Sequence, residues 1–245
     1  MTYYLPDSVG WGNVALCISD LVHRSPRPRV FKNLNDVDRG VIFSGFEVTD
    51  DPNEERFEPR CIVNPQYYHL VHSNLIQIIK PNKDLEELIK KYDHGLTHGI
   101  HIRRGACSKD SADIGCHGLD ENGNIKPAYF AKDSALNKFV EVVQKTDAKF
   151  FLASDSQDVK KMFKERFPDK IVTLDHEIAL TYDCNFLKNH GIPKEVRYGA
   201  YLDWFLLTKC RELYITAGNQ DLTDLSTFGY SAGAYGRCNI HFVFN

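Results

Sequence analysis

Apolar residues along this chain alternate between two periods. From His98 onward, Ile100 and Ile102 are separated from His101 and Arg103 by the two-residue period of a half-buried strand, predicted over 99–103. A long polar loop follows, then helix 128–145, strand 149–153, helix 157–166, strand 170–174, helix 195–209, strand 212–216, helix 228–235 and strand 240–244. Strands alternating with helices imply a mostly parallel sheet with right-handed crossovers.

The stretch before residue 96 is less regular. Tyr3-Tyr4-Leu5 predicts a short strand, Asp7 to Asn13 a glycine-bearing turn, and residues 14–22 a helix. Ser25-Pro26-Arg27-Pro28-Arg29 breaks that helix. Val30-Phe31 and Val41-Ile42-Phe43 then read as strands, 49–60 as a polar loop and Leu75 to Ile79 as a strand. Residues 83–91 read as an amphipathic helix with Leu85, Leu88 and Ile89 on one face. A boundary near Asp93-His94-Gly95 divides the chain into an N-terminal α/β half, 1–95, and a C-terminal half, 96–245. The pattern of the second half is that of a Rossmann-like nucleotide-binding unit.

Composition narrows this picture. With 245 residues, 42% hydrophobic and 12% aromatic, the chain is long and apolar enough to bury a sizeable core. Thirty basic against 33 acidic residues give a net charge of −3, which argues against a nucleic-acid partner. No apolar run approaches the ~18 residues of a membrane span. Met1-Thr2-Tyr3-Tyr4-Leu5-Pro6 has neither a basic nor an apolar leader region, so the chain is expected to be soluble and cytoplasmic. The seven cysteines are scattered and read as reduced thiols. Cys107, Cys116 and His117 lack a second ligand pair at zinc spacing, and Asp36-Val37-Asp38 sits in a turn-like setting, so neither a metal nor a cofactor is expected.

The candidate chemistry lies where strands end. In a parallel sheet the carboxyl ends of the strands share one edge, so Arg103, Arg104, Asp155, Ser226 and Thr227 should converge there. Two guanidinium forks before Gly105 suit an oxyanion such as a diphosphate; the plainer reading is a solvated edge neutralised by carboxylates. Gly10-Trp11-Gly12-Asn13 before a helix offers free backbone N–H groups to a phosphate, or serves turn geometry alone. Asp155 is equally placed to cap the next helix, Ser226-Thr227 to cap helix 228–235, and His101 to be a hydrogen-bonded core residue. Asp203 lies in the nearly apolar Tyr201-Leu202-Asp203-Trp204-Phe205-Leu206-Leu207, where a carboxylate requires a partner.

His101-Ile102-Arg103-Arg104-Gly105-Ala106 resembles the His-x-Arg-Arg-x-Asp signature of the α1,2 and α1,6 fucosyltransferases, with Ala106 where that pattern has Asp. Phe150 to Asp155 and the run from Asp203 to Ala232 resemble the same group in the same order, and Gly10-Trp11-Gly12-Asn13 resembles its Gly-x-Gly-Asn element. The resemblance implies a GT-B-like α/β fold of two Rossmann-like halves, the C-terminal half binding the donor. It implies an inverting, metal-independent transfer of fucose from GDP-fucose to a glycan hydroxyl. Carried over by position, Arg103 would contact the β-phosphate, with Arg104 as its neighbour. His101 would pack against or hydrogen-bond the nucleotide, Asp203 would read the guanine edge, and Asp155, Ser226, Thr227, Gly12 and Asn13 would complete the donor site. With Ala106 in the acidic position, Asp110 and Asp113 are the nearest candidates for the base. The alternative reading is a catalytically inactive relative that binds a nucleotide or glycan.

Overall fold

In chain order the elements are β1 (Thr2–Tyr3), α1 (Trp11–Arg24), β2 (Arg29–Phe31), β3 (Val41–Phe43), β4 (Glu47–Thr49), β5 (Arg56–Phe57), α2 (Tyr68–Ile78), β6 (Ile79–Pro81), α3 (Lys83–Tyr92) and β7 (His98–Ile102). They continue with α4 (Asp133–Lys145), β8 (Phe150–Ser154), α5 (Gln157–Arg166), β9 (Ile171–Val172), α6 (Lys194–Leu207), β10 (Glu212–Ala217), α7 (Thr227–Gly236) and β11 (Asn239–Phe244). The computed structural model describes residues 2–3, 11–24, 29–31, 41–43, 47–49, 56–57, 68–93, 95–104, 130–176, 194–218 and 225–245.

The predicted strand–helix alternation folds as a five-stranded parallel sheet, order β11-β10-β7-β8-β9. The central strand β7 is not half-buried as its alternation predicts, because helices cover the sheet on both faces. Ile100 and Ile102 pack with Phe139, Val143, Phe150 and Leu152 on the α4 and α5 side. Gly99 lies against the end of α6, where a Cβ would stand 3.2 Å from Leu207 Cδ2. A second parallel sheet, order β4-β2-β1-β5, comes from the N-terminal stretch, and β3 pairs antiparallel with β6.

α1, α2, α3, α6 and α7 share one hydrophobic cluster on the other face of the five-stranded sheet. The Tyr68 hydroxyl donates to the Gly233 carbonyl at 2.6 Å, fastening α2 to α7. No helix among the described residues is long and apolar enough to cross a membrane.

Several predicted elements are displaced. Leu75 to Ile78 belong to helix α2, not to a strand, because Val71, His72, Leu75 and Ile78 form a helical stripe that faces the core. Helix 128–145 begins only at Asp133. Ala131 has spent both backbone groups outside it, its N–H on the Arg103 carbonyl at 2.7 Å and its carbonyl on Arg104 Nη1 at 2.7 Å. Residues read as polar loop contribute β5 and the end of β4. Trp11, Gly12 and Asn13 form the first turn of α1 rather than a turn before it. Asp36-Val37-Asp38, Cys107, Cys116 and His117, set aside above as metal ligands, lie outside the described residues.

Candidate functional site

β7 delivers the Arg pair to the carboxyl edge of the sheet, and the two arginines part there. Arg103 is pinned through its backbone: its N–H donates to Thr216 Oγ1 at 3.2 Å, and its carbonyl accepts from Ala131. Its guanidinium lies over the Phe130 ring, 5.4 Å from the centroid. Arg104 instead turns to the start of α4. There Nη1 donates to the Ala131 carbonyl and Nη2 pairs with Asp133 Oδ1 at 2.6 Å.

Asp155, after β8, accepts the Arg104 backbone N–H at 2.7 Å, while Ser156 is the residue that caps α5 through Val159 N–H. The capping role weighed for Asp155 thus falls to its neighbour. Ser154 Oγ donates to the Ile102 carbonyl at 2.7 Å, and Thr216, fully buried on β10, also donates to the His101 carbonyl at 3.4 Å. Hydroxyls from both flanking strands therefore fix the end of β7.

His101 is 5% exposed beneath the first turn of α7. Its Nδ1 is 2.9 Å from Ser226 Oγ, and its ring stacks on Phe228 with centroids 4.9 Å apart. Gly229 admits the ring, since a Cβ there would lie 3.0 Å from Nδ1. Burial, then the nearby Arg103 charge, lowers the imidazole from 6.5 to about 3. The ring is therefore neutral in neutral solution. Ser226 occupies the N-cap position of α7, but its hydroxyl serves His101 and makes no capping bond; Thr227 begins the helix half-buried.

Gly12 brings a second helix start to the same place. A Cβ on it would lie 2.2 Å from the Phe228 backbone nitrogen, so the first turns of α1 and α7 meet backbone to backbone. Asn13 follows in the same turn, half-buried. Two positive helix ends next to the end of β7 favour an anion.

Asp203 is buried on α6, where Lys160 from α5 and His176 beyond β9 approach its Oδ2 at 3.8 and 3.2 Å. The partner its sequence setting requires is thus present. Asp110 and Asp113 lie outside the described residues. Sequence reasoning did not single out Thr216, Phe130, Lys160 or His176. Thr216 is the polar residue in an otherwise apolar strand end, which is a readable signal; Lys160 is hidden among the charges of α5.

No protein-family model matches the chain, and no curated protein matches it in sequence. Among solved structures, the α1,6-fucosyltransferase NodZ co-crystallised with GDP matches with a TM-score of 0.52 at 13% identity, covering 94% of this chain and 91% of that one. NodZ soaked with GDP-fucose gives 0.51 at 13% identity over 96% and 92%, and NodZ from Bradyrhizobium 0.52 at 11% over 94% and 91%. At these identities the likeness establishes the fold, which is α/β and GT-B-like.

Proposed function

We propose that this chain is a glycosyltransferase that takes a nucleotide sugar, GDP-fucose by preference, and transfers the sugar with inversion to a glycan hydroxyl. The observation that supports the reading is the meeting of the α1 and α7 first turns near the end of β7, two helix N-termini of the kind that suit an anion, in a fold shared with NodZ. Boundaries near residue 95 give an acceptor-side half, 1–95, and a donor-binding half, 96–245.

In this mechanism the diphosphate rests on Thr227 and the backbone amides of α7 and α1, with Gly12 permitting the approach and Asn13 beside it. Arg103 faces the leaving oxygens as negative charge develops, which is the stabilisation a nucleotide-sugar transfer needs most. His101, neutral and engaged with Ser226, supports that turn from below rather than moving a proton. Arg104 and Asp155 hold the strand end in register. Asp203 accepts from the base, and Asp110 or Asp113 takes the proton of the acceptor hydroxyl.

The Arg103 guanidinium and two helix ends supply positive charge without a divalent ion, so turnover should be metal-independent. The test is calorimetric titration with GDP and UDP, together with release of fucose from GDP-fucose with and without EDTA. Preference for GDP and EDTA-insensitive turnover are expected. Binding without turnover would favour an inactive nucleotide-binding relative, a reading to which Ala106 lends weight.

A further inference from the structure

Asp203 is held unevenly. Lys160 is 2% exposed, its Nζ 2.9 Å from the Leu174 carbonyl and 3.8 Å from Asp203 Oδ2. A lysine so deeply buried is rare without a specific partner. His176 places Nε2 3.2 Å from the same Oδ2, while Oδ1 is buried with no hydrogen-bond partner among the described residues. The seat of His176 is itself built: Gly199, one turn before Asp203, has no side chain where a Cβ would come within 2.5 Å of the ring. Gln157 Nε2 donates to the His176 carbonyl at 3.0 Å, fixing its backbone.

We propose that Lys160 and His176 are positioning residues for donor specificity: they occupy Oδ2 of Asp203 and leave Oδ1 as the acceptor for the adjacent N–H groups of a guanine base. This rests on the donor reading above. A carboxylate accepts and never donates, so an oriented Asp203 matches the adjacent N1–H and N2–H2 donors of guanine better than uracil, whose single N3–H is flanked by two carbonyl acceptors, and rejects the acceptor N3 of cytosine and N1 of adenine.

The test uses the full chain with Lys160→Met, His176→Leu and His176→Gln, titrated with GDP and UDP, with circular dichroism to confirm folding. Lys160→Met should lower the GDP-over-UDP preference about tenfold, as loss of one oriented base contact does. His176→Leu should lose roughly threefold or more of the preference and His176→Gln, which keeps an N–H donor, should restore most of it. Should Lys160→Met fail to fold, the two His176 variants decide, since that ring is partly exposed. Folded variants with an unchanged GDP-to-UDP ratio, or with equal losses for both nucleotides, overturn the assignment. A wild type that binds GDP and UDP alike overturns the donor reading and this assignment with it.

Discussion

Arg103 and Arg104 are adjacent in sequence and opposite in use. Arg104 spends both guanidinium nitrogens on Ala131 and Asp133, and Arg103 is stacked over Phe130 with its backbone tied on both sides. Lysine at 103 would retain charge but lose the planar stack and the fork proposed above to fix the diphosphate. Arg103→Lys should therefore keep GDP affinity within a few-fold yet lower kcat about 10²-fold, comparable to removing one oxyanion donor. Arg104→Lys should cost less activity and register mainly as a small loss of thermal stability. Turnover and melting curves on both variants check this; a greater kcat loss at Arg104 would reverse the roles. The pair was legible in sequence because a polar doublet ending an apolar strand marks the ligand edge of a parallel sheet. The residues that aim it were not. Thr216 and Phe130 lie more than twenty residues from Arg103, and Lys160 looks like any solvated helix lysine until α6 covers it.

Among the elements, those with local punctuation were readable and those shaped by tertiary contacts were not. α3 and α5 fall where predicted because Asn82 and Ser156 cap them within their own sequence, each accepting from the N–H three residues on. α3 adds Asp84 and Glu86 in its first turn and Lys90 and Lys91 in its last, charges that suit the helix dipole. α4 starts late because Arg103 and Arg104 take the backbone groups of Ala131, which no local rule reveals. The crossing of α1 and α7 is likewise invisible in Gly10-Trp11-Gly12-Asn13, whose glycines read equally well as a turn. It makes a sharp prediction nonetheless. Gly12→Ala places a methyl 2.2 Å from backbone that cannot swing aside, so the helices must separate. A stability loss of roughly 1–3 kcal/mol is expected, as for an overpacked core. GDP affinity should fall in step, because the first turn of α7 moves. Wild-type melting temperature and GDP affinity for Gly12→Ala would show that the two turns do not form one cradle.

At the scale of the whole molecule, the carboxyl edge of the sheet is built on a buried imidazole, and this links the candidate site to global stability. His101 titrates near 6.5 when unfolded and at about 3 when folded, so the folded state binds the proton less readily. Its contribution is therefore fully present above pH 6.5 and is lost as pH falls from there toward 3. Between pH 6.5 and 4.5 the loss should run at roughly 1 kcal/mol per pH unit, set by the free energy of one unit of pKa difference. His98 is lowered too, chiefly by burial, and adds in the same direction. Glu212 behaves differently: its hydrogen bond to His241, then one to Asn239, holds it below 4.5, so its contribution is present above 4.5 and disappears only at lower pH. Above pH 4.5 the histidines alone change stability, and below it Glu212 adds to them. His101→Gln keeps a hydrogen-bonding group for Ser226 but cannot charge. It should be somewhat less stable than the wild type at pH 7.5, through loss of the Phe228 stack, and lose most of the slope between pH 6.5 and 4.5 while retaining the acid transition below it. Chemical-denaturant melts at half-unit pH steps on both proteins measure this directly. Parallel curves for the two would mean that His101 is not the group that ties the carboxyl edge to the fold.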